Sequence, residues 1–197
     1  MKKIAITGGI GSGKSVVVDH LRKQGYSVFS CDEIYKEIID LPAYIEKVQE
    51  EFADAVFEGK INRRKLAEIV FSNAEKREKL NAIAHPIIMN KLQKDMQSVQ
   101  DFAVFAEVPL LFECGYEDLF DEIIVVTRNV NERIASICNR DRVKPIDALH
   151  RINAQVDYDN PSFLSNVHKK IYVLSNDDDI SALQNRIYNV IKHIRET

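Results

Sequence analysis

At 197 residues, with 45% apolar and 29% charged side chains, the chain carries enough apolar surface for one full core, and a single domain bearing an insertion is expected. Twenty-seven Lys and Arg against 30 Asp and Glu leave a net charge of −3, which argues against nucleic acid or an anionic membrane as a partner. Every apolar run falls short of the roughly 20 residues that a membrane span needs. Three scattered cysteines without CxxC spacing, Cys31, Cys114 and Cys138, argue against a disulfide framework or a zinc site and for a reducing, cytoplasmic setting.

The first predicted strand, 3–7, starts almost at the N-terminus, so no signal peptide is expected. Four of the seven glycines follow within six residues, Gly8, Gly9, Gly11 and Gly13, and Lys14-Ser15 comes next. Gly8 to Ser15 thus reads G-x-x-x-x-G-K-[ST], a phosphate-binding loop. Its glycines let successive N–H groups turn inward around an anion. The Lys14 ammonium is placed to reach the β- and γ-phosphates of a nucleotide, and the Ser15 hydroxyl to hold Mg²⁺. Val17, Val18 and Leu21 recur at helical spacing, so a helix N-terminus faces the phosphates.

Further strands are predicted at 26–30, 102–108, 122–127 and 171–174. The runs 102–106 and 123–126 are apolar without alternation, as in parallel strands buried on both faces, and helical patterns separate them. The expected fold is α/β and three-layered, with a doubly wound parallel sheet. About 70 residues between the second and third strands show no convincing strand; helices are read at 33–39, 43–52, 63–72 and 74–84. His85-Pro86 is expected to form a sharp corner between two helices. In 128–151, Arg128, Arg133, Arg140, Arg142, Lys144 and Arg151 face Glu132, Asp141 and Asp147, a local net charge of +3, with a helix start at Pro145. The last helix places Leu183, Ile187, Val190 and Ile194 on one face, with Asn176 and Asp177-Asp178-Asp179 as its cap and first-turn charge. The expected division is a nucleotide-binding core of 1–32, 100–127 and 156–197, a helical substrate domain of 33–99 and a lid of 128–155.

A phosphate loop alone serves kinases, GTPases, motors and transporter subunits. D-x-x-G, N-K-x-D and L-S-G-G-Q are absent, while small size, a helical insertion and an arginine-rich late segment favour a small-molecule kinase. Asp32 follows the second strand, where a carboxylate orients an attacking hydroxyl and takes its proton; capping of the helix 33–39 is the competing reading.

These landmarks resemble the dephospho-CoA kinase family. The likeness runs from Thr7-Gly8-Gly9-Ile10-Gly11-Ser12-Gly13-Lys14-Ser15 through Cys31-Asp32-Glu33-Ile34 and Asn62-Arg63 to Leu66 with Val70-Phe71. It continues with Leu80 to His85-Pro86, Val108-Pro109-Leu110-Leu111-Phe112-Glu113, Arg140-Asp141 and Ala154-Gln155. The resemblance implies transfer of the ATP γ-phosphate to the ribose 3′-hydroxyl of dephospho-CoA, giving CoA and ADP. By the same resemblance Gly11, Ser12, Gly13, Lys14, Ser15 and Val16 wrap the ATP phosphates, and Ser15 holds Mg²⁺. Lys14, Asp32 and Arg140 become the catalytic set, with Asp32 as the base or hydroxyl-orienting group and Arg140 as the lid arginine. Arg63, His85, Pro109, Leu110, Leu111 and Glu113 shape the acceptor site. A monomer or small homo-oligomer is expected.

Structural alternatives stand beside these roles: His85 as a hydrogen-bonding corner residue, Arg63 paired with Glu68 or another acid on a solvated face, Glu113 as an ion-pair partner, Pro109 to Phe112 as plain core, and Arg140 in a surface salt bridge. Glu107, at the end of the third strand, stands where a carboxylate of the Mg²⁺ shell would sit, with water as the alternative. The chain departs from the family pattern at Val16, at Ser30 and at Lys170 to Asn176. It departs also at Ser136, where an expected arginine is absent and Arg133 is the candidate replacement. Two rival functions remain at this level, a kinase for another acceptor and a nucleotide-binding protein without catalysis.

Overall fold

The computed structural model describes residues 1–71 and 73–196, with Phe71 by its backbone alone. Ser72 and Thr197, which end the expected segments 63–72 and 156–197, and the Phe71 side chain of the Val70-Phe71 match lie outside the described residues. The first elements are β1 (Lys2–Thr7), α1 (Lys14–Lys23), β2 (Val28–Ser30), α2 (Cys31–Ile38) and α3 (Pro42–Glu51). Next come β3 (Val56–Phe57), β4 (Lys60–Ile61), α4 (Arg63–Phe71), α5 (Ala74–Gln97) and β5 (Ala103–Glu107). The chain continues with β6 (Glu122–Thr127), α6 (Val130–Asp141), α7 (Pro145–Asn153), α8 (Pro161–Ser165), β7 (Lys170–Ser175) and α9 (Ile180–Glu196).

Two compact units divide the chain, Met1–Val28 with Val99–Thr197, and Phe29–Ser98. The five-stranded sheet has the order β2-β5-β1-β6-β7. β1 pairs in parallel with β5 and β6, and β6 with β7, with Ile6 opposite Glu107 and Thr7 opposite Val125. Unbroken apolar runs make these inner strands: Ile4, Ala5 and Ile6, and Ile123 to Val126, have no solvent exposure. On one face α1 contributes Val17, Val18 and Leu21, and α9 contributes Leu183, Ile187, Ile191 and Ile194, to a core shared with Ile4, Ile6, Phe105 and Ile124. Val190, expected on the inner face of the last helix, sits at the edge of this core, and Ile191 takes the inner place. Glu122 is buried, and its charge is offset by Lys2 Nζ at 2.8 Å and the Tyr172 hydroxyl at 2.9 Å.

The second unit differs from its sequence reading in two places. A small hairpin of β3 and β4 was not expected; Glu58 (φ 49°) and Gly59 (φ 70°) form a turn with both central residues left-handed, the geometry that suits a two-residue hairpin loop. The expected corner at His85-Pro86 is absent, because α5 runs through Pro86 without a break. Pro86 lacks the N–H that would bond the Ala82 carbonyl. Burial of Ala84, Ile88, Met89, Leu92 and Met96 along one side of α5, which packs on α2, α3 and α4, outweighs that loss.

Ile124 lies at the centre of the first unit's core. Ile124→Ala is expected to cost about 2–5 kcal/mol, read as a lower urea midpoint with an unchanged slope.

Candidate active site

The loop between β1 and α1 starts where β1 is wedged between two parallel neighbours, so its entry is rigid. α1 begins at Lys14 with Gly13 at its N-cap, no capping side chain and no acid in its first turn. Its N-terminal dipole is therefore uncompensated from within the helix, the arrangement that receives a phosphate. Ser15 is exposed in this first turn, and an exposed hydroxyl suits Mg²⁺, which takes oxygen ligands and retains several waters. Among the described residues no group of three or more His, Cys, Asp or Glu side chains is placed to hold a metal by itself. The Lys14 ammonium donates to the carbonyls of Gly8 (2.7 Å) and Gly9 (3.2 Å), which holds it against the loop.

The same loop is gripped from later in the chain. Arg133, in α6, is buried; its Nε donates to the Ile10 carbonyl at 3.0 Å and its Nη1 lies 3.5 Å from Asp159. Burial lowers its pKa, and Asp159, Asp157 and the Tyr158 phenol oppose that shift. Gly9 has no room for a Cβ because the Arg133 guanidinium occupies that space, and Gly11 (φ 80°) lies against the Arg133 backbone. The Gln155 side-chain oxygen accepts from Ile10 N–H at 2.6 Å, and Asn176 Nδ2 donates to the Ser12 carbonyl at 2.9 Å. Asn176 is thus not the cap of α9; Asp179 is, accepting from Ala182 N–H at 2.9 Å. Asp177 instead bonds Asn129 N–H and the Ser175 hydroxyl, and Asp178 pairs with Arg186. Ser136 accepts from Arg128 at 2.9 Å.

After β5, Leu111 is fully buried and belongs to the core, while Pro109 and Leu110 are half-buried. Leu110 is held at φ 56°, a strained conformation for a bulky residue. Glu113 accepts from Val156 N–H (3.1 Å) and from the buried Tyr158 hydroxyl (2.8 Å); burial, reinforced by Glu113, raises the Tyr158 pKa. Arg140 is exposed and makes two bonds to Asp141 (2.7 and 3.0 Å), which also receives Arg151 at 2.6 Å.

In the second unit, Asp32 is the second residue of α2, with Ser30 at the N-cap. Asp32 is therefore not a capping residue, and its exposed carboxylate makes no hydrogen bond or ion pair among the described residues. Arg63 pairs with Asp40 at 3.0 Å, and it is Arg64 that pairs with Glu68. His85 lies half-buried within α5, and burial lowers its pKa.

Sequence reasoning missed the parts played by Gln155, Asn176 and Tyr158. The available signal was Ile10: a large apolar residue between glycines in a polar loop needs an apolar partner elsewhere in the chain.

A family model described as dephospho-CoA kinase matches residues 2–181. A dephospho-CoA kinase of Bacillus licheniformis is 41% identical over 79% of this chain and 81% of its own length. One from Listeria monocytogenes is 29% identical over 97% of this chain and 96% of its own. Among solved structures, TT1252 from Thermus thermophilus is 31% identical with a TM-score of 0.79, covering 98% of this chain and 97% of that one. Dephospho-CoA kinase from Campylobacter jejuni is 26% identical with a TM-score of 0.69 over the same 98% and 97%. Shikimate kinase from Bacteroides thetaiotaomicron, at 12% identity and a TM-score of 0.55 over 98% of each chain, shares the fold.

The folded chain favours the neutral His85 ring, so its contribution to stability is present above the ordinary value of 6.5 and is lost as pH falls below it toward the lowered folded value. His85→Gln is expected to flatten the fall of Tm below pH 6.5; an unchanged acid limb defeats this assignment.

Proposed function

The chain belongs to the dephospho-CoA kinase family, and from this premise we propose that it carries the γ-phosphoryl group of ATP to the ribose 3′-hydroxyl of dephospho-CoA, giving CoA and ADP. The observation that carries the reading is the phosphate loop in its full setting: buried strand, left-handed glycines, Lys14 and an uncapped helix N-terminus. Phosphoryl transfer asks the protein chiefly for positioning and charge neutralisation, which these parts supply.

The hydroxyl attacks the γ-phosphorus in line with the departing ADP oxygen. Asp32 aligns that hydroxyl and takes its proton, a role supported by a carboxylate that is exposed and makes no hydrogen bond or ion pair among the described residues. Lys14 stabilises charge on the transferring group. Arg140 joins it from the lid, 128–155; Asp141, which Arg140 would leave, keeps its bond to Arg151. The Ser15 hydroxyl would hold Mg²⁺, which when bound would supply charge neutralisation for the phosphates. Gly8 to Val16 cradle the nucleotide. The segment 33–99, with Arg63 and His85, and the stretch Pro109, Leu110, Leu111 and Glu113 receive the acceptor. For Leu111 this role falls to the backbone, since its side chain is buried. For Glu113 it is indirect, through its hold on Tyr158. Lid closure excludes water and so suppresses ATP hydrolysis.

We place this activity in the cytoplasm, in a monomer or small homo-oligomer without nucleic acid or membrane partners. A net charge of −3 and three scattered cysteines without CxxC spacing support that placement.

The test is ADP release from Mg-ATP with and without dephospho-CoA, with adenosine, AMP and shikimate as comparison acceptors. Release that depends on dephospho-CoA, with CoA as product, is expected; stimulation by another acceptor instead overturns the substrate. Asp32→Asn is expected to retain ATP binding and lose about 10²–10⁴-fold in kcat. Wild-type turnover in that variant removes Asp32 from the mechanism.

A further inference from the structure

Ile10 sits between Gly9 and Gly11, and peptide planes next to glycine turn over at little steric cost. Left to itself, this part of the loop has no fixed choice of which backbone groups face an anion. Ile10 is held from three directions, all by the segment 128–155. Its N–H donates to Gln155 at 2.6 Å, its carbonyl accepts from Arg133 Nε at 3.0 Å, and its side chain packs on the small core of Ile137, Ala148 and Ile152. The first bond fixes the peptide plane between Gly9 and Ile10, whose carbonyl end is held by Ser12 N–H and Lys14. The second fixes the plane between Ile10 and Gly11. In a trans peptide C=O and N–H point in opposite directions. With the Ile10 carbonyl turned to a buried guanidinium, the Gly11 N–H points away from it. A reversed plane would present a carbonyl dipole to the phosphates, and repulsion would replace a hydrogen bond.

We propose that Arg133 and Gln155 are positioning residues that clamp the Ile10 peptide from outside and so pre-set the phosphate loop for its anion. Arg133 acts through the direction of its Nε–H bond, with its charge held by Asp159, and the base of the lid is anchored to the loop whose ligand the lid covers. This rests on the nucleotide-binding part of the proposed function and is independent of the acceptor's identity.

The experiment measures dissociation constants of the full chain for Mg-ATP and for tripolyphosphate, a probe without adenine, in the wild type, Gln155→Leu, Arg133→Met and Arg133→Lys. Amide exchange at Ile10 and the acceptor KM at saturating ATP are read in parallel. Gln155→Leu, which removes no charge, is expected to weaken both probes about tenfold, speed exchange at Ile10 and leave the acceptor KM unchanged. Arg133→Met is expected to do the same, and Arg133→Lys, which keeps the charge without the Nε donor, is expected not to restore binding. Unchanged tripolyphosphate affinity in Gln155→Leu overturns the clamp, as does full recovery in Arg133→Lys, which would assign Arg133 a purely electrostatic part. If Arg133→Met does not fold, Gln155→Leu decides alone. Weakened tripolyphosphate binding without dephospho-CoA-dependent turnover in the wild type sustains the clamp and defeats the proposed acceptor, so the two failures are distinguishable.

Discussion

A loop that binds phosphate through its own N–H groups must be built from residues that cannot hold themselves in place. Gly8, Gly11 and Gly13 all have positive φ, and Gly9 has no space for a Cβ, so this stretch of backbone is chosen for freedom and close approach. The first unit supplies the missing rigidity. β1 enters the loop from the middle of a sheet buried on both faces, and α1 leaves it with Val17, Val18 and Leu21 locked into the core. Between those ends, the carbonyls of Gly8, Gly9, Ile10 and Ser12 each have a side-chain donor, from Lys14, Lys14 again, Arg133 and Asn176.

Arg133 shows the cost of this arrangement. Burying a guanidinium is unfavourable unless it is paired and hydrogen-bonded, and here the Ile10 carbonyl accepts from its Nε and Asp159 faces its Nη1. Asp159 belongs to a short stretch that serves several parts of the unit. Gln155 reaches the loop, Val156 and Tyr158 hold Glu113, and Asp159 holds Arg133. Phe112 adds ring contacts to Tyr158 (5.9 Å) and Phe163 (5.3 Å). The stretch after β5, with Leu110 kept in a strained conformation, is thereby joined to the stretch that steadies the phosphate loop. Placing phosphate-facing backbone and its neighbouring wall on one connected set of bonds suits a kinase, because misplacement of the reacting groups lowers the rate steeply.

The differences between sequence reading and structure share one cause. Pro86 signals a break locally, yet α5 buries one side over its whole length, and that burial outweighs one lost hydrogen bond. Glu68, five residues on from Arg63, lies at i,i+4 from Arg64 and pairs with it; Arg63 takes another acid, Asp40, 23 residues away in sequence. Asn176 precedes a helix and has a capping side chain, but the Ser12 carbonyl, 164 residues distant, takes it. Local rules rank local partners; they do not weigh distant ones brought close by folding.

The sequence by itself determined the parallel α/β core, through apolar runs too continuous for any half-exposed strand, and the phosphate loop, through glycine spacing followed by Lys14-Ser15. Both are local in origin: strand burial and loop flexibility follow from residue types at adjacent positions. The tertiary structure decided which side chains steady the loop, that Asp32 is not a capping residue and that Arg133 is buried. These outcomes depend on contacts such as Ile10 with Gln155, separated by 145 residues, and no periodicity or spacing records a pairing that only the packed chain creates.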